Sequence, residues 1–122
     1  MATPHSGTPP LILVAEDYGT IGMMLADGLA EAGFGVSGPF ASCAAAMTSL
    51  DEQPPHAAIL DIELTDGQCV QLARELKDRR IPFLILTGYA SSSRHDEAFS
   101  GVPWLTKPFA HEEIIGTVRA LL

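Results

Sequence analysis

Five short apolar runs, Leu11–Ala15, Phe34–Ser37, Ala57–Leu60, Phe83–Leu86 and Val102–Leu105, recur along the chain with helix-period stretches between them. That alternation is the strongest constraint on the fold. Continuous apolar runs belong to strands buried on both faces, and Phe34–Ser37, with Gly35 inside it, is the weakest of the set. Ile21, Met24, Leu25, Leu29 and Ala32 form one helical stripe, with Gly33 as its stop. Cys43, Ala46, Met47 and Leu50 form another behind Ser42, an N-cap residue type. A third runs through Cys69, Leu72, Ala73 and Leu76. The last takes Ile114, Ile115, Val118, Leu121 and Leu122, with Glu112 and Glu113 favourably placed in its first turn. Ser91–Ser100 has only Ala98 and Phe99 as apolar residues, which predicts a short or frayed fourth helix. Repeated β-α units in a chain of 122 residues predict an α/β fold, a parallel sheet with helices on both faces.

The length suits one domain. Residues 1–10, rich in Pro, Gly, Ser and Thr, are expected as a flexible tail, and 11–122 as the folded unit. Fifteen acidic residues against seven basic give a formal charge of −8, which offers no attraction to nucleic acid or to an acidic membrane surface. No apolar run approaches a membrane span, and Met1–Pro10 lacks the basic and apolar regions of a signal peptide. Cys43 and Cys69 form neither a C-x-x-C pair nor a zinc spacing, and are expected as reduced core thiols of a cytoplasmic protein. His5, His56, His95 and His111 show no ligand spacing and are expected at the surface.

In an open α/β sheet, ligands bind beyond the carboxyl ends of the strands. The residues there are Glu16–Asp17 after the first run, Asp61 after the third, Thr87–Gly88 after the fourth and Thr106–Lys107–Pro108–Phe109 after the fifth. With strand order 2-1-3-4-5, the first and third strands are neighbours, and Glu16, Asp17 and Asp61 converge. Two like charges ~4 Å apart repel by roughly 4 kcal/mol at an effective dielectric of ~20. A divalent cation offsets that cost, and hard oxygen ligands favour Mg2+ over zinc. With Thr87 and Lys107 beside it, such a pocket suits a phosphoryl group, and Asp61 becomes the nucleophile.

These strand-end residues, taken in order, resemble those of a response-regulator receiver domain, over essentially residues 11–122. The resemblance implies a flavodoxin-like (βα)5 doubly wound sheet. It implies that Asp61 is the phosphoacceptor, that Asp17 and Asp61 ligate Mg2+ directly, that Glu16 acts through water and that Glu63 supplies a backbone carbonyl. It also implies that Thr87 and Lys107 reach the phosphoryl oxygens and that the peptide bond before Pro108 is cis. Glu16 stands where the acid pair more commonly has Asp. A narrower similarity, to the single-domain "FAT GUY" receivers of alphaproteobacteria, lies in Pro82-Phe83-Leu84-Ile85-Leu86-Thr87-Gly88-Tyr89, the loop Asp61-Ile62-Glu63-Leu64-Thr65-Asp66-Gly67 and the segment Gly101-Val102-Pro103. Ile85 and Leu86 replace that group's usual Phe and Ala.

On this resemblance the chain takes a phosphoryl group from a histidine kinase or a histidine phosphotransfer protein. It then acts by contact with a downstream protein or as a phosphate sink, as a monomer or weak homodimer, and is not an enzyme towards other substrates. Tyr89 and Trp104 are the candidate switch aromatics beside Thr87; period-two alternation puts Trp104 and Thr106 on one face of the last strand and Leu105 on the other. An alternative comes from Asp61-Ile62-Glu63-Leu64-Thr65, which looks loosely like the D-x-D-x-T loop of haloacid-dehalogenase-type phosphohydrolases, with Asp61 as nucleophile. Each strand-end residue also has a plain reading as a solvated loop side chain or ordinary turn residue.

Overall fold

The computed structural model describes residues 9–64, 66–67, 69–88 and 97–122. Five strands form one parallel sheet: β1 (Leu11–Ala15), β2 (Gly35–Phe40), β3 (Ala57–Asp61), β4 (Phe83–Thr87) and β5 (Trp104–Thr106), in the order β2-β1-β3-β4-β5. The predicted flavodoxin-like α/β architecture is therefore the observed one. Among the described residues, four helices cover the sheet: α1 (Gly19–Glu31), α2 (Cys43–Glu52), α3 (Val70–Asp78) and α4 (His111–Leu121). Where a fourth helix is expected before β5, the described part of the segment holds a short 3-10 turn, Glu97–Phe99. No helix among the described residues is long and apolar enough to cross a membrane.

The period-two geometry of each strand sorts its side chains into two cores. Leu13, Ala15, Ala58, Leu60, Phe83 and Ile85 pack with Ala46 and Leu50 of α2 and Leu72, Ala73 and Leu76 of α3. Ile12, Val14, Ala57, Ile59, Leu84 and Leu86 pack with Leu25 and Leu29 of α1 and Ile114, Ile115 and Val118 of α4. Burial on both faces is the reason the β1, β3 and β4 segments are continuously apolar.

Several expectations are corrected. The weak second strand does not stop at Ser37; it runs to Phe40 through a bulge, since Leu13 pairs with Ser37 while Ala15 pairs with Phe40. Gly38 makes the bulge possible with φ at +105°, and any Cβ there would lie 2.6 Å from the Val14 carbonyl oxygen. On α1, Met24 is 63% exposed, because the inner face is taken by Leu25, Leu29 and two glycines. Gly28 is one of them: a Cβ there would meet the His111 ring at 2.5 Å, so α1 and α4 approach closely. Of the expected tail, residues 1–8 lie outside the described residues, and the Pro10 carbonyl, next to the start of β1, accepts the Gly35 N–H at 2.9 Å.

Ser42 caps α2 as its sequence position predicts, its hydroxyl accepting the Ala45 N–H at 3.1 Å. Cys43 and Cys69 are not reduced thiols: they form a disulfide. Cys43 opens α2 and Cys69 directly precedes α3. Because both helices cover the same face of the sheet, their N-termini meet there, with the two Cα atoms 5.6 Å apart, within disulfide reach. His56 and His111 are exposed as expected, and His5 and His95 lie outside the described residues.

Candidate phosphoryl-acceptor site

Chain direction puts the carboxyl ends of β1, β3, β4 and β5 on one edge of the sheet, and the strand-end residues meet there. Glu16, Asp17 and Asp61 bring one carboxylate oxygen each to within 4.8 Å of one another. Asp61 is the last residue of β3 and is 5% exposed; Glu16 is 2% exposed, whereas Asp17 stands at the surface. The bulge of β2 helps to hold Glu16, whose backbone N–H donates to the Phe40 carbonyl at 2.9 Å. The Glu16 side chain folds back so that Oε1 accepts the Tyr18 N–H at 3.0 Å.

From β5, Lys107 reaches across the sheet edge. Its backbone N–H donates to the Thr87 carbonyl at 2.7 Å, which sets it beside β4. Its Nζ donates to Asp61 Oδ2 at 2.9 Å and to Glu16 Oε1 at 3.3 Å. Nζ also lies 3.0 Å from Glu16 Oε2, a charge contact without hydrogen-bond geometry, so among the described residues the buried Oε2 accepts no hydrogen bond. The other Asp61 oxygen, Oδ1, accepts the Glu63 N–H at 3.0 Å. Glu63 itself is exposed. Thr87 is buried, at 4% exposure, and the Lys107–Pro108 peptide is cis as expected. A cleft of about 410 Å³, lined by Asp17, Tyr18, Asp61, Glu63, Gly88 and Lys107 among others, opens over these groups. Tyr89 lies outside the described residues.

The electrostatics carry the stress of packing carboxylates together. Burial, reinforced by the neighbouring Asp61, pushes the Glu16 carboxyl up to about 7, against the opposing hydrogen bonds from Tyr18 and Lys107. For Lys107, burial works to lower the ammonium, but its bonds to Asp61 and Glu16 outweigh burial and hold it above the usual lysine range. The residues fit a hard divalent cation. Three carboxylates converge, and one buried carboxylate oxygen lacks a hydrogen bond, the arrangement that Mg2+ with its retained waters satisfies.

A pH test follows. An acid whose folded pKa is raised from 4.5 to about 7 contributes stability below 4.5 and loses it as pH rises through 7. In EDTA the protein should therefore be less stable at pH 8 than at pH 5, with Glu16 accounting for about 2–3 kcal/mol of the loss. Glu16→Gln should remove that part of the slope and be the more stable protein at pH 8. Urea melts of both proteins at the two pH values decide; equal slopes would show that Glu16 does not carry the stress.

With this geometry in hand, kinship with known proteins is informative. Residues 12–119 match the response regulator receiver domain, and the chain belongs to that family. Transcriptional regulatory protein PrrA of Mycobacterium tuberculosis is 32% identical over 122 residues, covering 94% of this chain and 51% of PrrA. The chain thus spans about half the length of this curated relative. A response regulator from Chloroflexus aurantiacus superposes with a TM-score of 0.82 at 27% identity, covering 93% of this chain and 98% of the other. CheY4 of Vibrio cholerae gives a TM-score of 0.82 at 21% identity over 94% of this chain and all (100%) of CheY4, a likeness of fold. The family match favours the receiver reading over the phosphohydrolase alternative.

Proposed function

We propose that this domain accepts a phosphoryl group on Asp61 from the phosphohistidine of a histidine kinase or phosphotransfer protein, in the cytoplasm and with Mg2+. The observation that carries the proposal is the Lys107 ammonium 2.9 Å from Asp61 Oδ2, at the rim of the Glu16–Asp17–Asp61 cluster. An Asp61 carboxylate oxygen attacks phosphorus, the P–N bond breaks, and the imidazole leaves with the bond pair. Asp17, Asp61 and the Glu63 carbonyl would hold Mg2+ directly, with Glu16 behind a water. When bound, the cation neutralises charge building on the phosphoryl oxygens. Lys107 first pins the nucleophile and then donates to a phosphoryl oxygen, as the Thr87 hydroxyl also does. Turnover is limited to the domain's own phosphoryl group. We place the domain with receivers of the FAT GUY kind, its output passing by protein contact or as a phosphate sink; a net charge of −8 gives it no pull on a polyanion.

Trp104 is the natural reporter. It faces the α2–α3 layer, pairs with Ile85, and so shares a face with Thr87 two residues further along β4. Its indole N–H donates to the Phe99 carbonyl at 3.0 Å, and the ring is part-buried. Turning it inward when Thr87 moves towards the phosphoryl group would forfeit a bond worth about 1 kcal/mol and gain the part of about 2 kcal/mol of ring burial that the part-buried state lacks. Beryllofluoride with Mg2+ should change Trp104 emission, and Thr87→Ala should blunt the change. An unaltered spectrum with beryllofluoride demonstrably bound would leave Trp104 outside the response.

A further inference from the structure

The disulfide lies outside the carboxylate cluster but bears on the turn that follows the phosphoacceptor. Cys43 begins α2, and Cys69 ends the segment that leaves β3 at Asp61. A second tether runs beside it: Asp66, in that same turn, accepts the Cys43 N–H at 2.8 Å on Oδ1 and the Ala44 N–H at 3.2 Å on Oδ2. These bonds hold the Asp66 carboxyl below the usual range, so it stays charged and seated on the start of α2. Leu64 and Gly67 close the turn through a mutual pair of backbone hydrogen bonds at 3.0 and 2.9 Å. Glu63, whose N–H holds Asp61 Oδ1, is the residue before Leu64.

Cys69 is 2% exposed, while Cys43 is part-exposed, so an incoming thiolate meets the Cys43 sulfur first. In the cytoplasm, where the proposed function places the domain, a disulfide is exchanged rather than permanent.

We propose that Cys43 and Cys69 form a thiol–disulfide exchange site for a glutathione-class couple, whose closed form clamps the turn behind Asp61 to α2. To close it, the Cys43 thiolate attacks glutathione disulfide, forming a mixed disulfide and releasing one glutathione. The Cys69 thiolate then attacks the Cys43 sulfur and releases the second. Two protein thiols are oxidised, one glutathione disulfide is reduced, and the two protons pass to the glutathione thiolates. The consequence for Mg2+, tighter binding in the clamped form because the Glu63 segment is pre-ordered, rests on the site reading proposed above.

The test equilibrates the full chain with graded mixtures of reduced and oxidised glutathione. Closure is read by maleimide gel shift, turn mobility by amide exchange, and the site by Mg2+ titration. Closure should titrate within the accessible glutathione range. In the closed form the Leu64 and Gly67 amides should exchange roughly tenfold more slowly, and Mg2+ should bind about threefold more tightly. Cys43→Ser and Cys69→Ser should behave as the open form in every mixture. If either fails to fold, the wild-type titration decides alone. A pair that stays closed in millimolar reduced glutathione, or open in the disulfide alone, overturns the exchange site; amide rates indifferent to closure overturn the clamp. Mg2+ binding to neither form overturns the site reading while the amide rates still decide the clamp, and equal Mg2+ binding beside altered amide rates overturns the coupling.

Discussion

Asp61→Asn should fold and yet take up less than about one-hundredth of the wild-type label from acetyl phosphate and Mg2+, because an amide oxygen is not a competent nucleophile. The fold should survive because the substitution acts on both sides of the balance. It weakens the bond from Lys107 to Oδ2, a charge-assisted bond at 2.9 Å, but it also removes a negative charge beside buried Glu16. Relief of that repulsion, of order 1–4 kcal/mol, offsets the lost pairing. Mg2+ should bind the variant more weakly, since one of its three converging carboxylates is gone. Labelling and thermal melts on the same preparation read both effects. Label retained at the wild-type level in folded Asp61→Asn would move the acceptor elsewhere.

Gly38→Ala should be the most damaging small substitution in the sheet. Two costs add. The backbone there has φ of +105°, which disfavours any residue with a Cβ by about 1–2 kcal/mol. The new Cβ would also lie 2.6 Å from the Val14 carbonyl oxygen and 2.9 Å from the Phe40 nitrogen, and backbone cannot swing aside as a side chain can. A total of about 3 kcal/mol or more, and a melting temperature lower by about 10 °C, is expected. Gly67→Ala is the control: its φ is +104°, but nothing among the described residues lies within 4 Å of its Cβ position, so only the conformational cost applies. Equal melting temperatures for the two variants would show that the bulge does not press on β1. Because the bulge presents the Phe40 carbonyl to the Glu16 N–H, Gly38→Ala should also weaken Mg2+ binding.

These two sites mark what a single sequence makes legible. Asp61, Thr87 and Lys107 could be placed because Asp61 and Thr87 directly follow continuous apolar runs and Lys107 stands two residues after one, and the ends of parallel strands lie on one edge whatever the loops between them do. The buried strands β1, β3 and β4 announce themselves by composition for the same reason. The end of β2 does not: Gly38 and Pro39 look like a turn, and only the neighbouring strand turns them into a bulge. Met24 has helical spacing with Leu25 and Leu29, but the glycines that occupy the inner face carry no apolar signal. The disulfide was hidden for a related reason. Spacing along the chain says nothing about two helix starts that meet only after α2 and α3 pack on the same face. Asp66, which caps the other helix rather than its own, is likewise a product of tertiary structure.

The central claim, one phosphoryl group carried on Asp61, can be read from the wild-type chain itself. After incubation with acetyl phosphate and Mg2+, the acyl phosphate is trapped by borohydride reduction and the chain is mapped by peptide mass spectrometry. The account predicts a single modified residue, Asp61, formed with Mg2+ and absent in EDTA. Modification at another residue, or at Asp61 to the same extent in EDTA, would contradict it.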